Sequence, residues 1–317
     1  MIGTSCSFNE SGKGFVLGTS DGNIVITEIQ ADGSEDSHII LRSTGSPITV
    51  SLFLHSNMFL IGTADMTAIY SRSDTSSKDW HEPFPGIPLG ISSAVKISDY
   101  TVALGLANVG TVVLFDFIQF KTLKAIKTGL KTISSLAFYS DRIYCAGEGS
   151  GSIMVISAFQ GLILERLLVL PSSSSIQSIS VDKGGKWIAA LHGDQKTMSS
   201  RVATMCLKAG IASVVRSEHA RYLSCLTFAN PWNGSCFVVA GGTGKGLMGI
   251  DLSGRSRIVN DEVEGVVSIA NGPGLVIVAG VCHHKVLDDV HFNTVSHRLD
   301  DDQRDAKEDV GVEVDAY

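Results

Sequence analysis

The six cysteines include no C-x-x-C pair, so a zinc ribbon or a thioredoxin-like redox pair finds no support in their spacing. No apolar run reaches the ~18 residues that a membrane span requires. The first residues, MIGTSCSFNESGKG, lack the apolar segment of a secretory signal. No segment keeps a long helical period of apolar residues. Charge is sparse, at 18%, and no stripe of Lys and Arg suggests a surface that tracks phosphates. These absences exclude several classes and predict a soluble, intracellular protein, cytoplasmic and/or nuclear. On that expectation the sequons at Asn9 and Asn233 are unused, and no membrane partner or direct nucleic-acid ligand is expected.

What is abundant is glycine, 33 of 317 residues, together with 44% hydrophobic residues. That composition favours a β-rich fold with many turns, and a chain of this length can bury a sizeable core without disulfides or metals. The net charge of −7 is uneven. Residues 300–317 carry eight acids against Arg304 and Lys307, which leaves residues 1–299 close to neutral. The acidic segment has too little apolar surface to order itself and is expected to be a disordered tail, although GVEVDAY at its end could add a strand.

A repeat runs along the rest. VLGTSDG, LIGTADM, ALGLANV, CAGEGSG, AALHGDQ, VAGGTGK and VAGVCHH share an apolar-to-small step followed by a polar turn. The aligned positions are 18, 62, 105, 147, 191, 241 and 280. An alternating apolar segment precedes each, such as VSLFLHS or ISSLAF. Another follows, such as NIVITEI or TVVLFDF, and then a more polar one such as KTLKAIK. Alternation over short runs means strands. Four strands per unit of ~40 residues make a propeller blade. The expectation is therefore an all-β fold, a seven-bladed β-propeller of four-stranded antiparallel blades over residues 1–299. In GTSDGNIVITEI, residues 18–29, the step from G-x-x-D-G into an apolar strand resembles the WD-repeat family of propellers. The Trp-Asp dipeptide is missing from every unit, with Glu28, Asp116 and Asp251 near its place. The resemblance implies a scaffold that binds other proteins within a multiprotein complex.

Several stretches suggest chemistry. GTSDG matches G-x-S-x-G, but the alternating strand NIVITEI follows where a nucleophile elbow needs a helix, so Ser20 reads as a hairpin residue. AGGTGKG has Val239 where a phosphate loop needs glycine, and again a strand follows. CHHKVLDDVHF gathers metal-ligand types, yet neighbouring side chains on a strand point to opposite faces, which suits a polar edge better than a compact site. No catalytic, cofactor or metal residue is assigned, and no enzyme activity is expected. The partner-binding candidates are Trp80, His81 and Phe84 in KDWHEPFPG and Trp232 in ANPWNGS, because loop aromatics are enriched at interaction hot spots. To these the turn after each second strand adds Asp21, Asp65, Asn108, Glu148, Asp194, Lys245 and His283. Trp187 reads as core. No spare N-terminal strand is left, so the ring is expected to close through VSHRL (295–299) or the C-terminal GVEVDAY, or to stay partly open, and an open blade edge could take a strand from a partner. The alternative is a propeller enzyme or small-molecule binder that uses the central channel. Its signature would be titratable groups from several blades meeting in one pocket.

Overall fold

The computed structural model describes residues 2–29, 35–41, 45–72, 90–207, 214–229, 236–272, 275–280, 283–288 and 314–315. All regular structure among them is β. The chain folds as successive antiparallel meanders. The first is β1 (Gly3–Phe8), β2 (Gly14–Thr19), β3 (Ile24–Ile29) and β4 (Glu35–Leu41). The second is β5 (Val50–His55), β6 (Met58–Gly62) and β7 (Thr67–Ser71). The third is β8 (Ile91–Lys96), β9 (Thr101–Leu106), β10 (Thr111–Asp116) and β11 (Lys121–Lys127). The fourth is β12 (Ile133–Tyr139), β13 (Arg142–Gly147), β14 (Ser152–Ser157) and β15 (Ile163–Leu168). The fifth is β16 (Ser178–Val181), β17 (Trp187–Asp194), β18 (Ser199–Cys206) and β19 (Val214–His219). The sixth is β20 (Leu223–Ala229), β21 (Phe237–Gly242), β22 (Lys245–Ile250) and β23 (Ser256–Glu264). The last is β24 (Val266–Gly272), β25 (Leu275–Gly280) and β26 (His283–Asp288). A short β27 (Val314–Asp315) pairs with the outer edge of β19. The first strands of successive sheets touch one another in order, and β24 returns to β1. The architecture is an all-β propeller.

The expected seven-bladed propeller of four-stranded blades is corrected. Only five sheets carry four or more strands among the described residues. The sheets that start at β5 and β24 have three, and the sheet that starts at β16 has five. The segments where their fourth strands were expected, 73–89 and 289–299, lie outside the described residues. The extra strand comes from the acidic C-terminal segment. It lies on the outer edge of β19 in the fifth sheet and does not complete the last one.

The core lies between sheets. Val16, Ile24 and Ile26 of the first sheet pack on Phe53, Phe59 and Tyr70 of the second. Phe59 and Tyr70 stack with ring centroids 5.2 Å apart. Similar clusters fill each later junction. Leu17, Val25 and Ala279 join the first sheet to the last. Burying one such side chain contributes about 1.5–3 kcal/mol, so every sheet depends on its neighbours.

Register explains the repeat. Ser5 pairs with Gly18, Val50 with Gly62, Ser93 with Gly105 and Ser135 with Ala146. Ser178 pairs with Leu191, Cys225 with Gly241 and Ser268 with Ala279. The aligned sequence positions match this register, apart from a one-residue slip at 147 and 280. Apart from Leu191 the residue is small, and at the glycines the next sheet leans on this spot. A Cβ on Gly62 would stand 2.2 Å from Ile91 Cγ1, and one on Gly105 2.5 Å from Ile133 Cγ2.

Hydroxyls stitch the first strands together. Thr49 Oγ1 donates to Gly62 O at 3.2 Å in its own sheet and to Ile91 O at 2.8 Å in the next. Ser134 Oγ bridges Ala146 O at 3.2 Å and Ile176 O at 2.5 Å. Thr4, Ser92 and Ser224 also reach Ile48 O, Ile133 O and Val266 O. Bulges at Thr4, Ser92, Ser134 and Ser224 aim the hydroxyls outward from their own ladders. In return, Ser93, Ser135 and Ser178 accept from the amides of Leu136, Ile179 and Leu226. The inner edges are thus satisfied by side chains rather than by a further strand.

Candidate functional site: the turns after the second strands

Each sheet meanders away from its first strand, so the turns after the second strands share one side of the ring. Asp21, Asp65, Asn108 and Glu148 stand exposed in these turns. Lys245 is the exposed first residue of β22, Asp194 the half-buried last residue of β17, and His283 the first residue of β26. The chain therefore places these residues on successive sheets of one face. It does not gather them into one pocket.

Local hydrogen bonds shape the turns. Asn23 Nδ2 donates to Asp21 Oδ2 at 2.8 Å. The hydrogen bond from Thr19, chief among several, holds the Asp21 carboxyl below its ordinary range. Asp194 is lowered too, first by the Lys196 amide and then by Thr197. Both stay anionic at neutral pH. Glu148 pairs with Lys131 at 3.5 Å. The Arg221 guanidinium donates to Lys245 O at 2.6 Å and so braces the hairpin of AGGTGKG. That segment ends β21 and begins β22. GTSDG likewise ends β2 and turns into β3, with Gly22 at φ 80° where a side chain would be strained. Ser20 is a turn residue whose amide donates to Ile2 O at 2.9 Å.

Trp80, His81, Phe84 and Trp232 lie outside the described residues, as do Cys282, Asp289 and His291 of the histidine-rich stretch. Trp187 is half-buried at the start of β17, against the cluster that holds Phe228 and Val238.

Two features escaped the sequence reading. The first is a cluster on the opposite side of the ring. Ligand atoms of Glu10, His55 and Asp99, from the first three sheets, lie within 4.8 Å of one another. Lys96 Nζ contacts Glu10 Oε1 and stands 3.4 Å from Asp99 Oδ1. His55 Nε2–H donates to Asp99 O at 2.8 Å. The ammonium already supplies the cation these carboxylates need, so the cluster reads as an ion-paired clasp between three sheets. The first turn and the ends of β5 and β8 meet only in the ring, which is why no linear motif announces them. The second feature is a set of exposed apolar turn tips on the third and fourth sheets, Ile118 and Phe159 among them.

His219 is buried on β19, with the Ser217 and Ser256 hydroxyls 3.0 and 3.4 Å from its two ring nitrogens. Burial, aided by nearby Arg221, lowers its pKa. Cys145 and Cys225 are buried thiols that desolvation pushes up to about 12. They are poor nucleophiles.

No protein-family model and no curated protein matches the chain. Among solved structures 1199 chains match. One is hydrazine synthase of Kuenenia stuttgartiensis, with a TM-score of 0.73 at 13% identity, covering 90% of this chain and 95% of that one. At that identity the likeness concerns the fold alone. The chain thus falls in the class of β-propellers. Among the described residues, no helix is long and apolar enough to cross a membrane.

Proposed function

We propose that this protein is a non-catalytic, WD-repeat-like propeller scaffold. It mediates protein–protein interactions as a subunit of a multiprotein complex in the cytoplasm or nucleus. The observation that carries the reading is the hydroxyl stitching. Side chains of the inner strands bind neighbouring backbone and tie the ring together, while diverse polar residues stand at the surface in the turns. A ring tied in this way holds short turns at fixed spacing, so little conformational entropy is lost when a partner docks. Asp21, Asp65 and Asp194, with Glu148 held by Lys131, make the turn face mildly acidic, which suits a partner surface with some positive charge. The outer edges of β7 and β26, which carry no fourth strand among the described residues, suit a strand supplied by a partner.

The test is affinity purification of the tagged chain with quantitative mass spectrometry, beside a variant carrying Trp80→Ala and Phe84→Ala. Stoichiometric protein partners, weakened in the variant, are expected. A chain that returns alone with a small molecule retained would shift the reading to the central channel.

A further inference from the structure

The third and fourth sheets share a motif at the rim. In the turn after β10, Ile118 is exposed, Gln119 follows, and Phe120 has φ 53°. In the turn after β14, Phe159 is 81% exposed, Gln160 follows, and Gly161 has φ 60°. Each outer strand then opens with an irregular register, at which Leu123 of β11 and Leu164 of β15 stand exposed. Lys124 Nζ of β11 donates to Gln160 O at 2.7 Å and links the third sheet to the turn after β14. The fold does not demand apolar tips: the corresponding turn after β22 carries Ser253 and Arg255 on the Asp251 carboxylate, as Asp116 holds Ile118 and Gln119 after β10. A lone exposed Phe would be ordinary, but Ile118, Leu123, Phe159 and Leu164 are exposed together on adjacent sheets, and grouped apolar exposure marks an interaction site.

Charge identifies the occupant. β11 reads KTLKAIK and carries Lys121, Lys124 and Lys127; the acid opposite Lys121 in the ladder, Asp116, is buried and holds the Ile118 and Gln119 amides. Nearby Glu165 is neutralised by Arg142 at 2.8 Å. A basic strand beside apolar tips stands out on a body that is close to neutral.

We propose that this rim, centred on Phe159 and Ile118 and flanked by the lysines of β11, is the docking surface for a partner protein's segment that is acidic and carries an aliphatic or aromatic anchor. The proposal rests on the scaffold reading and names the partner class. The anchor packs between the two tips, and carboxylates pair with Lys121 and Lys127. Charge sets orientation and encounter rate; the anchor sets residence.

The test pans a random twelve-residue peptide phage library against the intact chain. Enriched peptides are expected to combine Asp or Glu with Leu, Ile or Phe, and their binding to weaken as salt rises. Phe159→Ser and the double variant Lys121→Glu, Lys127→Glu should each weaken binding at least tenfold. All three side chains are exposed, so the thermal midpoint should hold and the loss cannot be read as unfolding. A neutral or basic consensus, no enrichment, or binding indifferent to these substitutions would overturn the proposal. Cellular partners that remain on the Phe159→Ser chain would overturn this surface while leaving the scaffold reading intact.

Discussion

Gly110 shows how tightly single residues are constrained. A Cβ there would stand 1.7 Å from Leu130 O, and one on Gly90 1.8 Å from Ala64 O. A backbone carbonyl cannot swing away as a side chain can. Gly110→Ala is therefore expected to destabilise by about 1–3 kcal/mol, read as an earlier midpoint in urea unfolding. Gly129, at φ 81° with nothing near its Cβ, should lose less. His219 gives a pH signature. Its folded pKa lies below the ordinary 6.5, so the native state holds fewer protons than the unfolded state between those two values. Its contribution is complete above pH 6.5 and is lost as pH falls toward the folded value. Thermal midpoints should drop between pH 7 and pH 5, and His219→Gln should flatten that slope. The thiols give a third check. Cys145 and Cys225 should resist iodoacetamide at pH 8 in the native chain and react once urea unfolds it, as peptide mapping would show.

At the scale of the element, the decisive unit is the bulged hydroxyl on the first strand. Ser134→Ala removes the bridge between Ala146 O and Ile176 O. It should cost about 1–2 kcal/mol, since a carbonyl between sheets loses its partner. Ser134→Thr, which keeps the hydroxyl, should cost less. This scale also shows what the sequence could and could not tell. The strands and hairpins were legible because alternation and Gly-rich turns are local. The register was nearly legible, because a glycine recurs at 18, 62, 105 and 241, where the next sheet approaches. The hydroxyl bridges were visible only as a scatter of Ser and Thr, since their acceptors lie ~40 residues away. The unequal strand counts were not legible, because a polar outer strand and a polar loop share one composition. Trp187 looked like core within KWIAAL, but it opens its strand and is only partly covered.

At the scale of the molecule, no sheet is stable by itself, because each apolar face is completed by the next. The Lys96 clasp adds a polar tie across the first three sheets. Such partly exposed pairs contribute little each, so the ring is expected to unfold as one cooperative unit held by its apolar junctions. The candidate turn residues were legible as a repeating slot, and the structure spreads them over one face. The apolar rim was not singled out, because Phe159 and Ile118 look in sequence like any strand-end hydrophobe, and exposure is a property of the assembled ring. The most direct measurement is quantitative affinity purification of the intact tagged chain from its native cells, with the retained material analysed for both proteins and small molecules. The account predicts stoichiometric protein partners and nothing held in the channel. A chain that purifies alone with a small molecule bound among its inner strands would contradict it.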